Sequence, residues 1–289
     1  MDIAVMSDIH SNHVAFERCL SYALVRKIGV FFFLGDYVGD MAYPQKTMDL
    51  LYEMEKQYQC FFVRGNREDY LLDYQKGGEK GWKEKDSTTG GLLYTYRQMR
   101  EKDMEFFQNL PPVRRLSSED FSEKMPPLTI CHGSPRQVKE KLLPDAERTF
   151  EIMREEVNSL ILCGHTHIQG KIRHEGRTVL NAGSIGVPLG SGAKTQFLIL
   201  HGSAKGYEEE FISLSYDTEK VARELSESGL VDQAPFWCRV TQKLLQDGEI
   251  PHGTVLERAM ALCRQETGSC RWPDIPERYW ERAVEEMGL

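Results

Sequence analysis

The chain reads as an α/β protein with two sheets and a helical C-terminal appendage, and three observations predict this. In the first 65 residues apolar runs alternate with helix-like stretches: IAVMS (3–7), a helical segment over about 12–28, FFFLG (31–35), a helix over about 44–57, and CFFVRG (60–65). That rhythm is the signature of βαβ units and a largely parallel sheet. From residue 113 the text turns β-rich. After Tyr216 a helical period returns.

Each element has a local reason. Residues 76–91, KGGEKGWKEKDSTTGG, are polar and glycine-rich and read as loop. LLYTYRQMREKDMEFFQNL (92–110) then has helical spacing and stops at Pro111 and Pro112. The stretch of about 70–110 is therefore expected to be a helical insertion beside the sheet. VRRL, LTICHG, SLILCG, GKIRH, RTVLNAG, TQFLILHG and EEFISLSY are strand candidates, with EGR (175–177) as a hairpin turn. They suggest a second sheet containing antiparallel hairpins. Helices are expected near 217–228, 233–247, 253–267 and 275–287, so residues 1–216 form the main domain and 217–289 the appendage. The appendage could cap a pocket, mediate dimerisation or pack against the sheet, and packing is the favoured reading. Trp237, Trp272 and Trp280 are read as packing residues.

Bulk properties narrow the function. With 289 residues, the chain can bury a sizeable core without disulfide staples. Hydrophobic residues make up 40% and charged residues 28%, an ordinary soluble composition. A net charge of −8 argues against a protein held mainly by nucleic-acid backbone, although a nucleotide substrate stays open. The seven cysteines include no CxxC, and Cys60, Cys131 and Cys163, which sit in apolar runs, read as reduced, buried small hydrophobes. The first residues lack the basic start of a signal peptide, and no apolar run approaches the about 20 residues of a membrane span. The expected location is the cytoplasm. Oligomeric state is not legible.

The reactive side chains fall in one kind of place. Asp8 and His10 follow the first strand, Asp36 the second, Asn66 the third. His132 follows LTIC, and His165 and His167 follow LILC. In open α/β sheets, ligands gather beyond the carboxyl ends of strands, so these distant residues should share one pocket. Two carboxylates, an amide oxygen and four imidazoles, with no thiolate, suit Mn, Fe, Zn, Co or Ni and speak against a sulfur-ligated structural zinc. Seven donors exceed the needs of one transition ion and suit two ions sharing a bridging carboxylate. Taken singly, the pieces are weak: GD and GN are ordinary turn dipeptides, and a lone His132 is more often a bonded core histidine. A GHxH pair arises by chance in roughly two chains per hundred. The joint pattern, each piece behind its own apolar strand, carries the reading.

In order, DxH, GDxxxx, GNxE, HG and GHxH resemble the calcineurin-like metallophosphoesterases. GDYVGDMAYPQKTMDLL (35–51) and NAGSIGVP (181–188) resemble stretches of the compact bacterial and archaeal members, some of them phosphodiesterases. The resemblance spans roughly residues 1–216. It implies a four-layer αββα sandwich of two mixed sheets with the site at one edge. It implies one metal on Asp8, His10, Asp36 and His167 and another on Asn66, His132 and His165, with Asp36 bridging. On that view the two histidines of GHTH serve different ions, and Gly164 lets the backbone turn so that they diverge. Where many members have GNHE or GNHD, this chain has Arg67. Arginine is a poor general acid but grips phosphate oxygens; alternatively, Arg67 pairs with Glu68 or Asp69 and faces solvent. Asn12 is read as a helix cap, and Ser184 either faces the phosphate or forms its turn. His13, His174, His201 and His252 show no partner pattern and are read as surface or core.

The function expected is hydrolysis of a phosphate ester, with a diester favoured, by in-line attack of a metal-bridging hydroxide. Manganese is a candidate metal. The alternatives are a phosphomonoesterase, a dinucleoside polyphosphate hydrolase, or a non-catalytic interaction scaffold such as the retromer subunit of this fold.

Overall fold

The structure, a computed structural model, describes residues 1–121 and 124–289. Strands β1 (Asp2–Met6), β2 (Val30–Phe33) and β3 (Gln59–Phe62) run parallel, joined by helices α1 (His13–Val25) and α2 (Pro44–Gln57). This is the βαβ pattern read from the apolar runs. Asn12 caps α1, its side chain accepting from the Ala15 N–H at 3.1 Å. Pro44 opens α2, where a missing N–H costs nothing.

Helix α3 (Asn66–Lys76) begins at once after β3 and was not foreseen. Most of its residues are polar, and only Leu71 and Leu72 give it an apolar buried contact, so the periodicity is faint. The single helix expected over 92–110 is two, α4 (Gly90–Arg97) and α5 (Glu101–Asn109). Arg100 is extended between them, and its N–H is taken by Asp103, 2.8 Å away, which starts the second helix.

The second sheet comprises β4 (Val113–Leu116), β5 (Leu128–Cys131), β6 (Leu160–Cys163), β7 (Gly170–His174) and β8 (Arg177–Asn181), in the order β4-β5-β6-β8-β7. Helix α6 (Glu147–Glu155) precedes β6. The last two strands, β9 (Thr195–Ser203) and β10 (Gly206–Leu214), depart from the expectation that they belong to this sheet. They cross to the first, which runs β10-β9-β1-β2-β3, with β9 antiparallel to β1. An uncovered edge of β1 would leave backbone donors and acceptors unpaired, and β9 satisfies them. Both sheets are thus mixed.

Alternation along the strands builds four layers. Ile3 and Val5 of β1, with Phe32, Leu198 and Leu200, face Leu128, Ile130, Leu160, Leu162 and Leu180 of the other sheet. Ala4 and Met6 point the other way, onto Phe16, Cys19 and Leu20 of α1 and Met48 and Leu51 of α2. Behind the second sheet, Cys131, Ile161 and Val179 pack on Ile152 and Met153 of α6. All seven cysteines are free, and five of them are buried.

The C-terminal helices are α7 (Thr218–Glu227), α8 (Leu230–Gln233), α9 (Pro235–Asp247), α10 (His252–Thr267) and α11 (Glu277–Glu286). Val240, Leu244, Val255, Ala259, Tyr279, Trp280 and Val284 form their own core. A second cluster joins Val221, Leu225, Leu230 and Cys238 to Val14, Met41 and Val187 of the sandwich. Trp280 Nε1–H donates to Thr88 Oγ1 at 2.9 Å, and Glu277 accepts from the Ser87 N–H and hydroxyl. The appendage therefore rests on helix α1, on the loops at the strand ends and on the 83–90 stretch. No helix among the described residues is long and apolar enough to cross a membrane.

Candidate metal centre and its walls

Because β1, β2 and β3 are parallel neighbours, as are β5 and β6, their C-terminal ends carry the expected loops to one place. Asp8 Oδ1 lies 3.2 Å from His167 Nε2, 3.7 Å from His10 Nε2 and 4.0 Å from His132 Nε2. Asp36 Oδ2 lies 3.6 Å from His10 Nε2, and Asp36 Oδ1 lies 3.5 Å from His132 Nε2. Asn66 Oδ1 is 3.1 Å from His132 Nε2. Donor atoms of Asp8, His10 and His167, and of Asp8, Asp36 and His132, each fall within 4.8 Å of one another. Asp8 and Asp36 each lie within 4.0 Å of both His10 Nε2 and His132 Nε2.

Every histidine of the cluster has one ring nitrogen against an oxygen. His132 Nδ1 meets the Leu34 carbonyl at 2.8 Å and His167 Nδ1 the Val187 carbonyl at 3.1 Å. His165 Nε2 meets the Lys139 carbonyl at 3.0 Å. His10 Nδ1 stands 3.0 Å from Asp40 Oδ2, close enough to share a proton but off the axis of a good hydrogen bond. A carbonyl can only accept, so the first three rings carry their proton there and keep a lone pair on the other nitrogen. This is the usual preparation of a metal-binding imidazole. His165 falls outside both close groups; its ring stands edge-on to His132 with centroids 5.0 Å apart.

The residues present fit divalent cations. His10 Nε2 and His167 Nε2 face each other at 3.2 Å, and two lone pairs at that distance repel unless positive charge lies nearby. Asp8 Oδ1 is buried with no hydrogen-bond partner among the described residues, an arrangement costly for a carboxylate left alone. The electrostatics point the same way. Burial would raise Asp8, yet His167 and His132 hold it well below the usual carboxylate range. Burial would lower His10, but Asp40 outweighs it and pushes the imidazole up to about 10. His132 is raised against its burial by Asp36 and Asp8. His165, by contrast, is lowered to about 4 by burial and by His132. The carboxylates of Asp8, Asp36 and Asp40 favour positive charge beside them.

The backbone is bent for this purpose. Asp8, His10, Asp36, His165 and His167 all have positive φ, between 50° and 65°. Left-handed residues other than glycine carry strain of about 1–3 kcal/mol each and gather at functional sites, Asp and His being among those that tolerate it better. Gly164 does not supply the turn of GHTH as expected, since its φ is not positive and the two histidines bend instead. A Cβ there would fall 1.9 Å from Ser7 Oγ and 2.4 Å from Asp8 Oδ2. The glycine is needed so that strand β6 can approach Asp8.

Several neighbours were not foreseen. Glu68 is fully buried and accepts from the N–H groups of Gly65, Asp36 and Tyr37 at 2.8–2.9 Å, tying the Asp36 loop to helix α3. Burial and Asp36 push its carboxyl up to about 7. Arg67 pairs with neither Glu68 nor Asp69, which instead bonds Arg64. Its Nη2 lies 2.9 Å from both oxygens of Asp40, and its Nε and Nη1 take no hydrogen bond among the described residues. Asp40 was legible in GDYVGD, as a second acid four residues after the first in a loop full of site residues. Ser184 forms its turn, donating to the Asp8 carbonyl at 2.8 Å and accepting from the Val187 N–H at 3.0 Å.

The appendage is a wall of the site. A cavity of about 380 Å³ opens over His10, Asp36, Asn66, Arg67, His165 and His167, and its far side is Trp237, Leu244, Pro251, His252 and Glu257. Leu143 and Ile168, exposed by 42% and 54%, line it as well. Trp237 does pack, stacking on His252 with centroids 4.4 Å apart and meeting Trp280 edge-on. It also sends its indole N–H to Asp40 Oδ1 at 2.9 Å. His252, read as surface or core, lines the cavity and bonds Thr241 through Nε2. Burial lowers it to about 4, so the ring is neutral near pH 7. No spacing in the sequence links residues 237 and 252 to the centre.

Comparison with known proteins agrees with this architecture. The sequence model of the calcineurin-like phosphoesterase superfamily domain matches residues 1–220. An uncharacterized protein of Methanocaldococcus jannaschii is 28% identical over 260 residues, covering 81% of this chain and 94% of the relative. Among solved structures, a hypothetical protein from Pyrococcus horikoshii superposes with a TM-score of 0.71, and a metallophosphoesterase from Sphaerobacter thermophilus with 0.68. Each is 20% identical over 86% of this chain and 99% of its own, and shares the fold. The chain belongs to the calcineurin-like phosphoesterase superfamily and is a metal-dependent phosphoric ester hydrolase.

Proposed function

We propose that the protein is a phosphodiesterase that works with two divalent transition-metal ions, manganese among the candidates, held by Asp8, His10, Asp36, Asn66, His132, His165 and His167. The observation that carries this reading is the orientation of the four imidazoles. Each has one nitrogen against an oxygen, and Nε2 of His10, His132 and His167 turns toward Asp8 and Asp36. When bound, the two ions supply charge neutralisation at the phosphate and a water of lowered pKa for in-line attack.

The protein's own groups supply the rest. Asp8 and Asp36 offer carboxylate oxygens to both halves of the centre, while Asn66 and His165 complete the His132 side. Arg67, anchored on Asp40, turns its remaining guanidinium N–H groups to a phosphoryl oxygen and stabilises charge that grows there during attack. It cannot protonate a leaving alkoxide near neutral pH, which supports an ester whose leaving group departs without a proton from this residue. Leu189, Leu244, Pro251 and Trp237 give the cavity an apolar side, and this supports an organic group on the phosphate. In this reading residues 1–216 are the catalytic domain and 217–289 close its pocket, in a cytoplasmic enzyme.

The test is release of 4-nitrophenol from bis(4-nitrophenyl) phosphate, with monoester and dinucleoside polyphosphate substrates assayed beside it. Activity should require added Mn²⁺ after chelation and prefer the diester. Asp36→Asn should lower it by more than about 100-fold, since loss of a ligand exceeds loss of an outer partner. Full activity in a confirmed metal-free sample would contradict the reading. A monoester preference would remove the diesterase part alone, and a metal-loaded protein inert to every ester would favour a scaffold.

A further inference from the structure

The appendage reaches the metal centre through one hydrogen bond, and the chain of contacts is short. Trp237 of α9 donates from Nε1 to Asp40 Oδ1 at 2.9 Å. Asp40 Oδ2 stands 3.0 Å from His10 Nδ1, and both Asp40 oxygens take Arg67 Nη2 at 2.9 Å. Asp40, with a side chain 3% exposed, takes hydrogen bonds from the Trp237 indole and the Arg67 guanidinium and lies against His10 Nδ1, with little solvent to compete. Arg67 also lies over the Trp237 ring, 5.6 Å from its centroid. A buried carboxylate with fixed partners cannot rotate freely, so the indole sets the plane in which Asp40 meets the imidazole and the guanidinium.

We infer that Trp237 is a positioning residue: through Asp40 it fixes His10 for its cation and Arg67 for the substrate phosphate, so that helix α9 is part of the metal centre. This rests on the proposed ligation by His10. Partners that orient a ligating histidine commonly change metal affinity by about 10–100-fold when removed, and Trp237 stands one step further out. The expected loss is therefore smaller, about 3–10-fold, and confined to the cation that His10 binds. In this role Trp237 acts through Asp40 and not by ligating the cation.

The molecule contains its own control. Trp280 is in the same appendage and fully buried, and it also donates an indole N–H, at 2.9 Å, but to the Thr88 hydroxyl and not to Asp40. Trp237→Phe and Trp280→Phe thus remove the same kind of bond from the same group of helices. Mn²⁺ binding to the full chain would be followed by titration calorimetry and by the electron paramagnetic resonance of bound Mn²⁺, with thermal unfolding alongside. W237F should weaken one of two Mn²⁺ sites about 3–10-fold and alter its resonance. W280F should lower Tm and weaken either site by much less, although its ring meets that of Trp237.

Wild-type affinities in W237F, or equal weakening in both variants, would overturn the inference while leaving the metal reading intact. If wild-type protein bound no Mn²⁺, both would fall. Should W237F fail to fold, Asp40→Asn keeps the indole packing and is measured instead. It must weaken Mn²⁺ at one site more than W280F does, and equality with W280F would overturn the inference.

Discussion

Gly164 shows how narrow the tolerances of the site are. Its missing Cβ is what lets β6 end against Ser7 and Asp8. Gly164→Ala has no flexible neighbour to displace, because Asp8 Oδ2 is already bonded to the Ser7 hydroxyl and the His165 N–H. We expect G164A to destabilise the protein by about 2 kcal/mol or more, in the range of overpacked core positions, and to weaken Mn²⁺ binding. Gly170→Ala, where nothing lies within 4 Å, should change stability by less than about 1 kcal/mol. Urea unfolding of both variants, with Mn²⁺ titration, measures this. At the same scale the candidate ligands were legible because each follows an apolar strand. Glu68 was visible in GNRED but silent, since its partners are backbone N–H groups that no motif records.

At the scale of elements, a single buried acid ties three of them. Glu156, just after α6, accepts from Arg115 of β4 at 2.8 and 2.9 Å and from Thr129 of β5 at 2.9 Å. Burial would raise its carboxyl, but the Arg115 and Thr129 bonds lower it below its ordinary value. A depressed acid stabilises the fold above its unfolded pKa of about 4.3 and loses that contribution as pH falls through the folded value. Glu156→Gln should therefore cost about 1–3 kcal/mol at pH 7, reduced to the extent that half-exposed Arg115 is screened. The deficit should shrink below about pH 4, and thermal unfolding of both proteins from pH 3 to 8 would show it. A deficit independent of pH would deny the ionised carboxylate this role. Elements with strong periodicity were readable; α3 was not, because its polar residues bury too little apolar surface to leave a pattern.

Across the whole molecule, an excess of acidic charge, −8 in total, surrounds a centre that favours positive charge. Cations bound only by the folded chain stabilise it by about 2.7 kcal/mol each at a hundred times their Kd. In a domain of this size 1 kcal/mol moves Tm by about 2 °C, so saturating Mn²⁺ should raise Tm by about 5 °C or more. The same addition to Asp36→Asn should give a much smaller rise. An unchanged wild-type Tm across Mn²⁺ concentrations would mean that the folded chain has no preferential site. The C-terminal helices belong to this scale too, since they shape the cavity and reach Asp40 from residues about 200 positions away in the chain.

The apolar runs and the polar residue behind each of them were enough to read an α/β chain, most of its strands, the order of the candidate ligands and their chemistry. Those features are local: a strand period, a helix period and a side chain just past a strand end are all carried by adjacent residues. Where β9 and β10 pair, which groups steady the imidazoles and what covers the cavity could not be read that way. Sheet pairing satisfies whichever backbone edge is open in space, and the Trp237 bond to Asp40 exists only because the C-terminal helices pack against the strand ends. Contacts of that kind leave no repeat or motif, since their partners share a place and not a stretch of chain.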